Sequence, residues 1–379
     1  MDILVVCHYG LYKDLSYSFV HNQARAYVAL GHRVRVLIPN GIGKKGRDGK
    51  NIGKSLVISK ADGVELYDLR YLTFSRYGEK QFNSRSAIAS VKLHWNCLLG
   101  DFHPDVIHAH TLGFDSEVGA WLKKKLGCPL VVTTHGSDTM LPYLAGSQKW
   151  LRNTSDKADV VASVSSRLKK ILLECGTKSE VQVILNGFVP NACQRAEQRE
   201  PYSLIQVGNL VESKKVDITI RAVAQLRVRY PQISLTIIGQ GPQREALEQL
   251  CRDLGVSDCV YFTGGMPNNR VQACMAQSQI FVMPSIREGF GIVYLEAMVA
   301  GCVAIGTEGE GIADLIRSGE NGYLVPPDDV EAVAQTVAYC FDNPDEAERI
   351  ARSGKTDAQG LTWEENAKKY LELFEVLRQ

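Results

Sequence analysis

The stretch IFVMPSIREGFGIVYLEAMVAG, residues 280–301, decides the fold. Its apolar run, Ile280 to Met283, stops at Pro284-Ser285, and the tight turn Glu288-Gly289-Phe290-Gly291 follows. Ile292, Val293, Leu295, Ala297, Met298 and Ala300 then read as a mostly apolar helix that Gly301 ends. Strand, glycine-rich turn and helix start leave backbone N–H groups without intrahelical partners. They also aim the positive end of a helix dipole at an anion. Glu288 stands just before the glycines and Glu296 lies inside the helix. Carboxylates are unfavourable beside an anion, so these two read as ligands for hydroxyls of the same molecule. Phosphate together with many hydroxyls is the chemistry of a nucleotide sugar.

At 379 residues the chain is long for one core, and two domains are expected. Apolar residues make up 45% and charged residues 22%, as in ordinary globular proteins. No run of 18 apolar residues offers a membrane span. The start, Met-Asp-Ile-Leu-Val-Val-Cys-His, has no basic region or cleavage site and reads as a first strand rather than a leader. Cysteines 7, 97, 128, 175, 193, 251, 259, 274, 302 and 340 form no Cys-x-x-Cys pair and mostly sit among apolar neighbours. Reduced thiols in a cytoplasmic protein are the expectation. Residues 1–190 hold 25 Lys+Arg and 16 Asp+Glu, a net +9, and the rest of the chain carries −8. This asymmetry supports two domains with different partners. No motif accompanies the basic residues that would indicate nucleic acid.

Along the chain, Ile3–Val6 is a strand, and Phe19, Val20, Ala24, Ala26, Tyr27 and Leu30 recur at helical spacing before Gly31. Val34–Ile38 is the next strand, which makes a βαβ unit and implies a parallel sheet. The loop Gly41–Lys54 carries Lys44, Lys45, Arg47, Lys50 and Lys54 among glycines. It reads as a solvated loop or as a patch for anionic lipid headgroups, since each such residue adds about 1 kcal/mol at an anionic surface. Residues 84–99 are expected as one helix. Strands follow at 106–110, 130–133, 160–163 and 181–185, with helices at 113–126 and 165–174. His8, His110 and His135 fall at strand carboxyl ends, where open α/β sheets bind ligands.

Polar composition from Pro190 to Pro201 marks a linker, after which strands recur at 203–207, 234–238, 260–263, 280–283 and 303–306. Gly309–Gly311 is expected to introduce a further helix, and Asp328-Asp329 to cap one starting near Val330. The expected division is an acceptor-side domain (1–189), a nucleotide-sugar domain (190–360) and a terminal helix (361–379) that packs back on the first domain. The fold class is α/β, with two Rossmann-like domains whose parallel sheets face a central cleft.

These features resemble the retaining glycosyltransferases of family 4, which have the GT-B fold. Glu288 and Glu296 meet that family's Glu-x7-Glu signature. The resemblance extends through Gly31-His32-Arg33-Val34, Asp105–His110, Thr134-His135-Gly136, Asn186-Gly187, Ile238–Pro242, Gly309–Ile312 and Asn321–Pro326. It implies that Glu288 binds donor-sugar hydroxyls and Glu296 the ribose hydroxyls. Backbone groups of Gly289, Phe290, Gly291, Ile292 and Val293 would reach sugar and phosphate. Gly264, Gly265 and Met266 would edge the base, with uracil and guanine both open. His135 would stand beside the anomeric carbon, with Asp138 orienting it, binding acceptor or capping a helix. Gly10 and His110 fall on the acceptor side, although His108 and His110 also fit sheet-end packing. The family's Gly-Arg-Leu-Val-x-x-Lys-Gly clamp reads here Gly208-Asn209-Leu210-Val211-Glu212-Ser213-Lys214-Lys215. Lys214 matches, Asn209 replaces the arginine and Lys215 the glycine. The Gly-Asn-Leu variant resembles the teichuronic-acid and exopolysaccharide branch.

The implied activity is retaining, metal-independent transfer from a UDP- or GDP-linked sugar to a hydroxyl of a glycan or lipid-linked acceptor, in cell-surface polysaccharide synthesis. Attack from the front face would let the leaving phosphate take the acceptor's proton. No cofactor and no metal is expected, because no histidine set has ligand spacing. The partners expected are the donor, the acceptor and, through Lys44–Lys54, the inner face of an anionic membrane. The alternative is a nucleotide-sugar-binding protein without turnover, for which Asn209 speaks. An epimerase or phosphorylase fits Glu-x7-Glu less well. A dinucleotide dehydrogenase is disfavoured because no Gly-x-Gly-x-x-Gly follows the first strand.

Overall fold

The computed structural model describes residues 1–8, 18–42, 55–73, 80–189 and 199–379. Gly10 and the basic loop Lys44–Lys54 lie outside the described residues. The chain divides into two compact units, Met1–Gly187 with Trp363–Gln379, and Phe188–Thr362.

The first unit is built on an eight-stranded sheet. Its strands are β1 (Asp2–Val6), β2 (Arg33–Ile42), β3 (Leu56–Ala61), β4 (Val64–Leu72), β5 (Val106–His110), β6 (Leu130–Thr134), β7 (Val160–Ser163) and β8 (Glu180–Val183). They lie in the order β3-β4-β2-β1-β5-β6-β7-β8. All neighbours are parallel except β3 with β4. The unbroken apolar runs of β1 and β6 are what a strand covered on both faces requires. The chain leaves β1 toward β2 on one side, and β5 occupies the other side of β1. The sheet's topological switch point therefore falls between β1 and β5, and the crevice beyond their carboxyl ends is where such a sheet binds ligands.

The structure departs from the sequence expectations in this unit, where the helices Ser137–Leu144 and Gln148–Ser155 fill the stretch between β6 and β7. The hairpin β3–β4 is additional: its strands follow the glycine-rich basic loop, and β3 is mostly exposed and carries no apolar alternation. The segment expected as one helix at 84–99 is two, Lys80–Leu93 and Trp95–Leu99, interrupted at His94. The terminal helix Trp363–Arg378 belongs to this unit: the Tyr370 hydroxyl and Thr133 Oγ1 are 2.7 Å apart, and Asn366 donates to the Leu185 carbonyl at 2.7 Å.

The second unit carries β9 (Ser203–Val207), β10 (Ser234–Ile238), β11 (Val260–Gly264), β12 (Ile280–Val282), β13 (Val303–Thr307) and β14 (Tyr323–Val325). All are parallel, in the order β11-β10-β9-β12-β13-β14. Its switch point falls between β9 and β12. Leu204, Leu235, Ile237, Val282 and Ile305 share one buried core with the apolar faces of the helices Val216–Leu226 and Val330–Asp342. Asp329 caps the latter helix by accepting from Ala332 N–H at 2.9 Å. The turn after Gly309 is shorter than expected, a single 3₁₀ turn at Gly311–Asp314. The helices Arg244–Asp253, Asn268–Gln277 and Pro344–Gln359 also belong to this unit.

Candidate active-site residues in the two units

In the second unit, the loops after β9 and β12 meet at the switch point. Gly208 leaves β9 and its N–H donates to the Ile238 carbonyl at 2.9 Å. A Cβ on Gly239 would collide with the Gly208 carbonyl oxygen, so this backbone approach admits only glycine. Lys214 closes the 3₁₀ turn Glu212–Lys214, and its ammonium is ion-paired with the Glu288 carboxylate from the loop after β12. Gln206 Nε2 donates to the Lys214 carbonyl at 2.8 Å and fixes the turn from below.

Glu288 is held through its own backbone. The Glu310 carboxylate accepts from Arg287 N–H at 3.0 Å and from Glu288 N–H at 2.8 Å. Arg287 has φ +60°, a left-handed conformation that this clamp supports. Gly291, at φ +84°, begins the helix Ile292–Val299 as its N-cap. The N–H groups of Gly289, Phe290, Gly291, Ile292 and Val293 donate to nothing among the described residues. They form a helix start with open N–H groups, a geometry that can receive an anion. Glu296, half-buried further along this helix, accepts from Asn268 Nδ2 at 3.1 Å. Burial raises the Glu296 carboxyl above its ordinary value, and the Asn268 bond partly offsets that rise. Gly264, Gly265 and Met266 lie at the end of β11, where Gly265 packs beside Gln240.

Asn209 is exposed, and its side chain bonds nothing among the described residues. Lys215 adopts φ +49°, which explains why the related clamp carries glycine at this position. Its ammonium is paired with Asp328 Oδ1 at 2.6 Å. Glu310 and Asn268 are site residues that sequence reasoning missed. Glu310 sits in the quoted Gly309–Ile312 motif, but its clamp on Glu288 is a long-range contact that spacing does not show.

In the first unit, His110 closes β5 and His135 follows β6. His110 Nδ1 and His135 Nε2 are 3.0 Å apart, and the rings stack at 5.3 Å. Phe19 packs against His135 at 4.3 Å. His110 Nε2 and His135 Nδ1 are buried without a partner among the described residues. Burial, with repulsion from neighbouring imidazoles, pushes His110 well below its ordinary value and His135 down to about 3. Both rings are therefore neutral near pH 7. His108 belongs to the core: it meets Thr133 Oγ1 at 2.7 Å and is fully buried.

Asp138 is not the N-cap of the Ser137–Leu144 helix, which is Gly136. Its carboxylate accepts from His135 N–H at 3.1 Å, Gly136 N–H at 3.0 Å and Leu112 N–H at 2.8 Å. It thus orients the backbone that carries His135. Beyond the end of β1, His8 Nδ1 lies 2.7 Å from Asp115 Oδ2, which also accepts from Thr111 Oγ1 at 2.8 Å. Asp115 does not stand out in the sequence, because nothing in its spacing from His8 reveals the contact.

Among the described residues, no group of three or more His, Cys, Asp or Glu could hold a metal ion, and no helix is long and apolar enough to cross a membrane.

Known proteins share both halves of this chain. A profile described as "Glycosyltransferase Family 4" matches residues 18–191, and one described as "Glycosyl transferases group 1" matches residues 192–357. A GDP-mannose-dependent alpha-(1-6)-phosphatidylinositol monomannoside mannosyltransferase of Mycolicibacterium smegmatis is 31% identical over 60% of this chain and 64% of its own length. The matched region thus spans under two thirds of that relative. Sucrose-phosphate synthase from Thermosynechococcus elongatus superposes with TM-score 0.79 at 20% identity, covering 100% of this chain and 99% of that one. Anabaena HepE in complex with UDP-glucose gives 0.72 at 19% identity, covering 99% and 100%. These likenesses establish the GT-B fold, two parallel-sheet Rossmann-like units.

Proposed function

We propose, from the premise that this chain belongs to the family-4, group 1 glycosyltransferases, that it transfers a sugar from a nucleoside diphosphate sugar to a hydroxyl acceptor with retention of anomeric configuration. The observation that carries the reading is the Lys214–Glu288 pair beside the unengaged N–H groups of Gly289–Val293 at the switch point of the second unit. The ammonium and the helix N-terminus suit the diphosphate, which gains negative charge as the glycosidic bond breaks. Each preorganised donor of this kind lowers the barrier by about 3–4 kcal/mol. Glu288 serves the sugar hydroxyls and Glu296 the ribose. Gly264–Met266 edge the base. His135, neutral and backed by Asp138, attends the anomeric carbon. Lys214 and the helix start neutralise the leaving group without a metal.

The relatives frame the donor as UDP-glucose-like or GDP-mannose-like. The acceptor is a glycan or lipid-linked hydroxyl in cell-surface polysaccharide synthesis, on the teichuronic-acid and exopolysaccharide pattern. The enzyme works in the cytoplasm, with the basic loop Lys44–Lys54 at an anionic membrane. A second reading, nucleotide-sugar binding without turnover, draws on one observation: the exposed, uncharged Asn209 where the resembled family's clamp reads arginine.

The test begins with a thermal-shift panel of UDP- and GDP-sugars, since a ligand specific for the folded state raises the midpoint. Nucleoside diphosphate release is then measured for the wild type and Lys214→Ala. A donor that raises the midpoint and a release rate reduced at least about 100-fold in the variant are expected. A panel in which no nucleotide sugar shifts the midpoint refutes the reading. Binding with no release by the wild type favours the second one.

A further inference from the structure

We propose that Glu310 is a positioning residue for the donor-sugar contact: its carboxylate sets the backbone from which Glu288 reaches the sugar. The inference rests on the transferase reading above and adds a residue to it, within the second unit alone. It starts from strand order. β12 and β13 are parallel neighbours, so the loops that leave their carboxyl ends lie side by side. One of these loops carries Glu288 and the other Glu310.

Glu310 stands at the N-cap of the 3₁₀ turn Gly311–Asp314, with φ −89° and ψ 169°. An acidic side chain there ordinarily accepts from an N–H of its own turn. This one makes no such bond. It reaches across to the neighbouring loop instead, with Oε1 accepting from Arg287 N–H at 3.0 Å and Oε2 from Glu288 N–H at 2.8 Å. Successive N–H groups in a turn that contains a left-handed residue make an anion-binding concavity, and Arg287 at φ +60° is that residue. Glu310 is thus the anion that fills this concavity from within the chain. Its side chain is buried. Burying a carboxylate is unfavourable unless it is hydrogen-bonded, and one backbone donor on each oxygen offsets that cost.

The Glu310 loop grips its neighbour at two further points. Gly311 N–H donates to the Glu288 carbonyl at 3.4 Å. A Cβ on Gly311 would collide with the Gly289 carbonyl oxygen, so this approach of the two loops requires glycine. The backbone of Glu288 is therefore held at its N–H and at its carbonyl, both times from the loop after β13. From this fixed backbone the Glu288 side chain runs to Lys214. A non-glycine residue stays at positive φ only while its surroundings impose that conformation. Without the Glu310 carboxylate, Arg287 relaxes and carries Glu288 with it.

The experiment compares the full chain with Glu310→Ala and Glu310→Gln. Hydrogen exchange across residues 284–291 reports the clamp with no ligand present. Calorimetry measures affinity for UDP and GDP, and nucleoside diphosphate release is followed from UDP-glucose and GDP-mannose. In Glu310→Ala the Arg287 and Glu288 amides exchange at least about tenfold faster. Release falls about 10- to 100-fold, the effect of a misplacement of about 1 Å. Affinity for UDP and GDP, which carry no sugar, stays within about twofold. Formate or acetate fills the vacated concavity and restores both amide protection and release in Glu310→Ala, with no effect on the wild type. Glu310→Gln keeps one acceptor oxygen and falls between the two, and it supplies the same readouts if the alanine variant does not fold. Unchanged amide exchange, or release at the wild-type rate, overturns the inference. So does a loss of release that is matched by an equal loss of UDP and GDP affinity and is not rescued by either anion, which is the signature of a purely structural residue. A wild type that binds neither nucleotide and releases nothing refutes the transferase reading instead, while the exchange measurement still decides on the clamp.

Discussion

Lys214 and Glu288 are ion-paired across the β9–β12 switch point, one from the loop after each strand. Neither is fully buried, with side-chain exposures of 22% and 17%. The pair therefore keeps two opposite charges close together, one suited to phosphate and one to hydroxyls. Groups that act as a unit lose activity non-additively. Lys214→Ala and Glu288→Gln should each lower nucleotide release by roughly 100-fold or more, and the double variant should be little worse than the poorer single one. Losses that simply multiply, in a double-mutant cycle on release rates, would show that the two residues work independently.

Asn209 occupies the position at which the clamp of the resembled family reads arginine, and it is solvent-exposed with no side-chain bond among the described residues. Nothing in its surroundings has to be dismantled to place a longer side chain there. Charge-assisted hydrogen bonds are about twice as strong as neutral ones. Asn209→Arg should tighten nucleoside diphosphate binding by about three- to tenfold, with a steeper salt dependence than wild type. Titration calorimetry at two ionic strengths measures both. An unchanged Kd at low salt would mean that Lys214 and the helix start already saturate the phosphate site.

Glu296 is half-buried, with Asn268 bonded to one carboxylate oxygen at 3.1 Å. On the proposed reading, its other oxygen meets a ribose hydroxyl. Glu296→Ala should weaken the natural donor by about 10-fold or more, as expected for hydrogen bonds to a charged group. It should hardly affect a 2′,3′-dideoxyribose analogue, which has lost the hydroxyls already. Comparable losses on both donors would point to a structural effect of the substitution.

The parallel strands were legible because strands buried on both faces are short, unbroken apolar runs, as in Ile3–Val6 and Leu130–Thr133. The β3–β4 hairpin was not, since the exposed face of β3 blends into the polar loop before it. The Glu288 turn was legible for a related reason: a helix start that binds an anion must leave its N–H groups open, and glycines announce the turn. Glu310 was harder to read because its role is a bond to the backbone of residues more than twenty positions away. Asp115 is hidden in the same way, since it meets His8 only because β5 lies beside β1. Strand order, which brings distant residues together, is what local spacing does not encode.

His108, His110 and His135 make the first unit acid-sensitive. Burial is the leading cause for each, lowering His108 and His135 to about 3 and His110 well below its ordinary value. Below about pH 6.5 the unfolded chain takes up protons that the folded unit excludes, so stability falls as pH drops from there toward the folded values. Two opposing contributions are present. His8 is raised, so its share is fully in place below its unfolded value and lost only as pH rises through the folded one. Asp115 and Asp138 are raised too, chiefly by burial, and protonating them in the folded state relieves that burial, so their contribution runs opposite to that of the buried histidines. Between about pH 6.5 and 5.5 these opposing contributions are common to the wild type and a His108 variant, so comparing the two isolates one buried histidine. All four tryptophans (Trp95, Trp121, Trp150 and Trp363) lie in this unit, so their fluorescence reports its unfolding within the intact chain. His108→Gln keeps a polar partner for Thr133 and removes one titrating group. In urea titrations across that window, the wild type should lose stability more steeply than His108→Gln, by up to about 1.4 kcal/mol per pH unit. Parallel pH slopes for the two proteins would show that His108 is not excluded from protonation by its burial.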